Sequence, residues 1–218
     1  MAHPRLWALL LCLMLAFCSR LAAADTPIAD PIADYLAIDV PDRAANSGGI
    51  WIIKKVELDV DGDGKPEVFV GTWYRKSGPN TWLWAGYTPV SGGYRRITPA
   101  HSDVLIDFDN IFVGEIPALQ RQGMAQAYSL ELDNKDRDQS NMVSDLEYYV
   151  IENGQLVQQS AGPLDRDDPE QLAVYQALFG PNRKQREVPR VESYSVGQLA
   201  AKGYKIPNWN KPQELSHK

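Results

Sequence analysis

The chain predicts an α+β fold, mainly antiparallel β-sheet laid out as a meander of hairpins, with short helices toward its C-terminal end. Three observations predict it. Runs rich in β-branched and aromatic residues succeed one another from Ile50 to Ser160. Tight-turn signals, Ser91-Gly92-Gly93 and Glu152-Asn153-Gly154, separate several of them. Helix start and stop signals gather after Asp168. Strands first and helices afterwards is the order of an α+β domain rather than of alternating βαβ units.

Taken in order, Asp25 to Gly49 reads as an irregular lead-in. It contains a duplicated tetrapeptide, Pro27-Ile28-Ala29-Asp30 and Pro31-Ile32-Ala33-Asp34, and room for a short helix over Ile32–Ala37. Residues 50–162 form the β-rich part. Ile50–Leu58 and Glu67–Tyr74 are strands on either side of a Gly/Asp turn, and Thr81–Val90 pairs with Tyr94–Thr98 through the Ser91-Gly92-Gly93 turn. Asp103–Phe108 and Ile111–Ile116 are short strands. Met124–Leu132, Met142–Ile151 and Gln155–Ser160 form a last meander, whose Asn153-Gly154 turn favours positive φ. Residues 163–218 read as a helical part packed on the same domain. Asp168 caps a helix with Pro169 at its first position, Leu172, Tyr175 and Leu178-Phe179 give it an apolar stripe, and Gly180-Pro181 stops it. Asn182–Arg190 reads as a polar connector. Ser195 with Gln198 is a capping box for a second short helix ending at Lys202-Gly203.

Residues 1–24 read as a secretory signal. Arg5 precedes an uninterrupted apolar run of 13 residues, Leu6–Cys18, too short to span a bilayer and suited to a signal-peptide core. Ala22-Ala23-Ala24 supplies the small residues of a cleavage site before Asp25. Acylation at Cys18 is disfavoured by the bulk of Phe17 before it. Removing 24 of 218 residues leaves 194, and the loss of Arg5 and Arg20 takes the net charge from −6 to −8. Cys12 and Cys18 go with the signal, so disulfides, thiolate metal sites and cysteine nucleophiles are all excluded from the exported form. The acidic balance argues against nucleic-acid binding. The expected location is periplasmic or secreted, with no membrane segment after cleavage.

One motif is specific. In Asp59-Val60-Asp61-Gly62-Asp63-Gly64-Lys65-Pro66-Glu67, carboxylates stand at positions 1, 3, 5 and 9 of a tight loop. Alternate spacing lets Asp59, Asp61 and Asp63 converge while the backbone curls around a cation. Gly64 at position 6 supplies the sharp turn that presents the carbonyl of Lys65, and Glu67 closes the sphere directly or through water. An all-oxygen set suits Ca²⁺ rather than zinc or copper. Val70 stands at position 12, where an EF-hand needs a bidentate acid, and Pro66 at position 8 has no N–H to pair two such hands. The flanks are strands, not helices. The bland alternative is a solvated acidic turn.

The stretch DVDGDGKPEVFVG, Asp59–Gly71, resembles the calcium loop of FG-GAP/VCBS-type repeats, in which a DxDxDG loop with an acid at position 9 joins two strands. The resemblance covers one copy, which does not make a complete propeller. It implies a calcium-stabilised strand–loop–strand unit in an exported protein, with Asp59, Asp61, Asp63, the Lys65 carbonyl and Glu67 as ligands.

Other groupings are weaker. Trp73, Tyr74, Trp82, Trp84, Tyr87 and Tyr94 lie close in sequence. They read either as core of the sheet or, at Trp73, Trp82 and Trp84, as a platform for a protein or cell-wall partner. Arg75-Lys76 and Arg95-Arg96 read as exposed hairpin charges, the alternative being a flank of that surface that attracts an anion. His101, Ser102 and Asp103 are sequence neighbours that a strand points to opposite faces, which argues against a catalytic triad. The expectation is therefore an exported calcium-binding interaction module rather than an enzyme. The alternatives are a cell-wall-directed hydrolase using a carboxylate pair and an inhibitor or immunity-type protein for a secreted hydrolase.

Overall fold

A computed structural model describes residues 26–41, 52–73, 82–101, 104–108, 111–116, 119–130, 143–160, 165, 167–169, 172 and 189–207. Within them the fold is mainly antiparallel sheet with short helices. Ten strands are described: β1 (Ile52–Leu58), β2 (Glu67–Trp73), β3 (Trp82–Val90), β4 (Gly93–Arg96), β5 (Val104–Leu105), β6 (Ile111–Ile116), β7 (Arg121–Leu130), β8 (Val143–Glu152), β9 (Gln155–Ser160) and β10 (Arg190–Ser195). The helices are α1 (Pro31–Ile38) and α2 (Val196–Ala201).

The strands form two sheets. The first runs β10-β1-β2-β3-β4, with β5 pairing beside β4 on the outer edge of β3; the second runs β6-β7-β8-β9. Every pairing is antiparallel. The last meander closes on Asn153 and Gly154, both at positive φ (51° and 73°), as that dipeptide favours. The strand β10 lies in a part of the chain read from sequence as polar connector and helix. Its Arg190, Glu192 and Ser193 give it the charged, half-polar texture of an edge strand, and it pairs with β1 from Ile52↔Ser195 to Glu57↔Arg190.

Period-two alternation sends the two faces of the first sheet into two cores. Val56, Leu58, Phe69 and Trp84 meet Ile111, Met124 and Tyr149 of the second sheet. On the opposite face, Ile53, Val68, Val70, Ala85 and Tyr87 pack under Ile32, Tyr35 and Leu36 of α1 and Leu199 of α2. Covered on both faces, β2 is buried from Glu67 to Thr72. Two glycines make room for the aromatic packing. An added Cβ at Gly71 would stand 2.5 Å from the Trp84 ring, and one at Gly86 would stand 2.9 Å from Phe69.

The lead-in is more ordered than its sequence suggests. Ile28 bridges to Tyr94 through two backbone hydrogen bonds of 2.8 and 2.9 Å. Asp30 caps α1, its Oδ1 accepting from the N–H groups of Ile32 (2.8 Å) and Ala33 (3.4 Å), with Pro31 opening the helix. The Tyr204 hydroxyl donates to Asp30 Oδ2 at 2.7 Å, tying the two ends of the described chain together. At α2, the Ser195 hydroxyl accepts from Gln198 N–H (3.1 Å) and the Gln198 side chain accepts from Ser195 N–H (2.7 Å), the expected capping box. Of the earlier predicted helix, Pro169 and Leu172 are helical, with Leu172 N–H bonded to Asp168 carbonyl at 3.0 Å. Tyr175, Leu178 and Phe179 lie outside the described residues.

One expectation is overturned here. Arg96 is not exposed hairpin charge. Its side chain is only 12% exposed, and it donates to both oxygens of Asp39 (2.9 and 2.7 Å) and to Asp34 (3.2 Å). Tyr87 also donates to Asp34 Oδ2 at 3.0 Å, and burial pushes the Tyr87 phenol well above its usual pKa. The acids sit at the helix and its end, the arginine and tyrosine on the sheet, so the network fixes α1 to its face.

Candidate metal centre in the β1–β2 loop

The loop 59–66 joins β1 to β2, and its shape follows from its side chains. Asp59 turns its carboxylate back on the backbone, Oδ1 accepting from Gly62 N–H and Oδ2 from Gly64 N–H, each at 2.9 Å. Asp61 accepts from Asp63 N–H at 3.1 Å, and Asp63 from Lys65 N–H at 2.7 Å. Successive Asx turns wind the chain about its acids. The winding needs Gly62 and Gly64, at φ 77° and 83°, in the left-handed region that residues with a Cβ avoid.

Glu67, the first residue of β2, differs from the others. It is 1% exposed. Its Oε2 accepts from Val60 N–H (2.8 Å) and its Oε1 from the Thr88 hydroxyl (3.0 Å). Both donors are neutral, and no basic side chain pairs with Glu67 among the described residues. The carboxylates of Asp59, Asp61 and Glu67 bring one oxygen each to within 4.8 Å of one another, a group that could hold a metal ion. Asp63 stands apart from this group, with its second oxygen 3.7 Å from the Lys65 ammonium. Of the predicted ligands, three carboxylates converge and the fourth is turned toward its neighbour's backbone.

Burial raises the Glu67 pKa to about 7, the Val60 N–H opposes the rise and the Asp61 charge adds to it. In the ion-free fold the neutral acid is favoured, so the folded chain binds the extra proton between the unfolded value of 4.5 and about 7. The Glu67 contribution is therefore lost as pH rises through that window. Ion-free wild type should lose melting temperature relative to Glu67→Gln between pH 4.5 and 7. Paired melts in a chelator check this, and parallel curves for the two proteins would refute it.

The other predicted groupings fall as follows. Trp84 is buried at 2% exposure, its indole N–H donating to Ile106 carbonyl at 2.9 Å, so it offers no face to a partner. Trp82 is half-buried, stacked on Trp84 at 5.8 Å with Lys54 4.1 Å above its ring. Trp73 is 38% exposed, and Tyr74, Arg75 and Lys76 lie outside the described residues. His101 is exposed and its backbone N–H donates to Asp39, while Ser102 and Asp103 lie outside the described residues. The 24 residues of the predicted signal also lie outside, and no helix among the described residues is long and apolar enough to cross a membrane.

Sequence reasoning missed a polar knot between the sheets. Gln126 of β7 donates to Leu105 carbonyl (2.8 Å), Glu147 (2.6 Å) and Tyr149 (3.2 Å), and its oxygen accepts from Asp107 N–H (2.8 Å). A glutamine two residues from Met124, on the same inward face of β7, was the available hint. Comparison with known proteins finds no family model, no curated protein and no solved structure that matches the chain.

Proposed function

We propose that this is an exported calcium-binding module in which the ion is a structural element of the β1–β2 loop. The observation that carries the reading is Glu67, a buried carboxylate with no basic partner among the described residues, aimed at the same point as Asp59 and Asp61. Three acids crowded without a cation repel, and one of them is also desolvated. A divalent cation relieves both penalties at once. Carboxylate and carbonyl oxygens favour a hard cation, hence Ca²⁺ over zinc or copper. Asp59, Asp61 and Glu67 would hold it, and rotation of Asp63 away from Lys65, with the Lys65 carbonyl, would complete the set. The likeness of Asp59–Gly71 to FG-GAP/VCBS-type loops and the export signal at residues 1–24 support the same reading, since extracellular calcium is abundant enough for a weak site.

Affinity on the order of 10⁻⁴ to 10⁻³ M is expected of a single extracellular loop. At ten times Kd such binding stabilises the fold by about 1.4 kcal/mol, a rise of roughly 2–4 °C. The test is a calcium-titrated melt of the exported form, whose intact mass should correspond to a chain starting at Asp25. Asp59→Ala should abolish the shift. Gly64→Val should weaken it through φ alone, since an added Cβ there meets nothing within 4 Å. A wild-type melt indifferent to calcium would leave only an acidic turn.

A further inference from the structure

The two edges of the first sheet differ. Beyond β4, Ile28 takes the outer edge through its paired backbone bonds to Tyr94. Beyond β10, no strand pairs among the described residues. The end of β10 shows which of its backbone groups face outward. Ser195 N–H donates to the Gln198 side chain rather than to Ile52, its neighbour in the ladder. The Ile52 carbonyl accepts from the Thr72 hydroxyl, on the β2 side. Ile52 and Ser195 are therefore a pair without mutual bonds, and antiparallel alternation makes Arg190, Glu192 and Tyr194 the residues that bond to β1. The N–H and C=O groups of Val191 and Ser193 point away from the sheet and meet no partner among the described residues. Side chains alternate as well. Val191 stands opposite Val56, on the face turned to the second sheet, yet it is 42% exposed while Val56 is fully buried. Arg190 and Glu192 share the other face, 3.0 Å apart.

An edge with open backbone groups and an exposed valine accepts another strand, and the order of charges in β10 selects it. When two copies of β10 run antiparallel with Val191 opposite Val191, Arg190 of each copy stands opposite Glu192 of the other. Centring the pair on Glu192 instead sets two like charges face to face. Centring it on Ser193 calls on the Ser195 N–H, which Gln198 already holds. We propose that β10 pairs with β10 of a second copy of this chain, antiparallel and centred on Val191, so that two first sheets become one across a twofold axis. The two Val191 residues exchange both backbone bonds, and each Ser193 N–H reaches the Pro189 carbonyl of the other copy. Pro189 has no N–H to offer and ends the ladder there. None of these residues belongs to the β1–β2 loop, so the pairing stands apart from the cation site.

The contact is short, so association should be weak, with Kd on the order of 10⁻⁵ to 10⁻⁴ M. Sedimentation equilibrium of the chain starting at Asp25 should show monomer passing to dimer over that range. Glu192→Arg sets arginine opposite Arg190 twice and should weaken the dimer by at least about tenfold. Arg190→Glu together with Glu192→Arg exchanges the signs and should restore wild-type association. That rescue separates recognition from loss of the Arg190–Glu57 pair at 3.9 Å, which the double variant does not recover. Cysteines read the register, since Cys12 and Cys18 are absent from a chain starting at Asp25. Val191→Cys places two Cα atoms about 5.5 Å apart, within disulfide reach, and should oxidise to a covalent dimer. Ser193→Cys leaves them about 13 Å apart along the strands and should not. A chain still monomeric at about 1 mM would overturn the pairing and leave the edge to a strand of another protein. Hydrogen-exchange protection of the Val191 and Ser193 amides that is independent of concentration would overturn it in favour of a segment of the same chain. A double variant no better than Glu192→Arg, or equal cross-linking at the two cysteines, would overturn it as well.

Discussion

Asp39→Ala is expected to cost about 3–5 kcal/mol of folding stability, a large part of the 5–15 kcal/mol that holds a typical domain together. The reason is what it leaves behind. Asp39 is fully buried and takes two hydrogen bonds from Arg96, whose guanidinium is itself nearly buried. Removing the acid strands most of a desolvated cation, which keeps Asp34 at 3.2 Å and the Thr98 carbonyl. His101 N–H loses its acceptor as well. Replacing both members, Asp39→Leu with Arg96→Met, should recover a good part of the loss, because no unpaired charge then remains. By contrast, the exposed Lys65–Asp63 pair at 3.7 Å should contribute under about 1 kcal/mol to the ion-free fold. Urea melts of the single and double variants measure this. A loss below about 1 kcal/mol for Asp39→Ala would mean that α1 is not fixed by the network.

Trp84→Ala is expected to cost about 3–5 kcal/mol, from lost burial and from the cavity left behind. Trp84 lies edge-on to Phe108 at 4.6 Å, stacks on Trp82 and sits over Gly71, at the point where the two sheets share a core. Its loss also strips the Ile106 carbonyl of an indole donor. A coupling test separates packing from general fragility. Gly71→Ala should destabilise wild type by about 1–3 kcal/mol, because the new methyl collides with the indole. The same change in the Trp84→Ala background should cost clearly less, since the ring is gone, although the Leu83 carbonyl, 2.8 Å from the added Cβ, still crowds it. Additive losses within about 0.5 kcal/mol would show that the two residues do not meet.

The strands flanking the acidic loop were legible because each carries its own pattern. Glu67–Trp73 is dominated by β-branched and aromatic residues, and Trp82–Val90 is closed by a glycine turn. The short helix after Ser195 was legible for the same reason, since its capping box lies within four residues of chain. In Arg190–Ser195 the local signal is weak. Charged and polar residues suit a connector as well as an edge strand, and only the ladder to β1 decides between them. Arg95 and Arg96 make the same point at one dipeptide. They are indistinguishable in sequence, yet Arg96 faces the acids of α1 while the Arg95 guanidinium packs against Gly154.

At the candidate site the division is similar. By itself the sequence determined the spacing of the acids, the glycines that let the backbone turn, and the oxygen-only chemistry, because these depend on covalent reach and on φ over nine consecutive residues. Tertiary structure decided that Glu67 is desolvated while Asp61 and Asp63 are not, that Thr88 of the next strand holds one of its oxygens, and that Gly62 rests on Gln122 of the other sheet. Those relations join segments far apart in the chain. They arise from the stacking of one sheet on another, where burial and therefore charge cost are set by neighbours that no local pattern specifies.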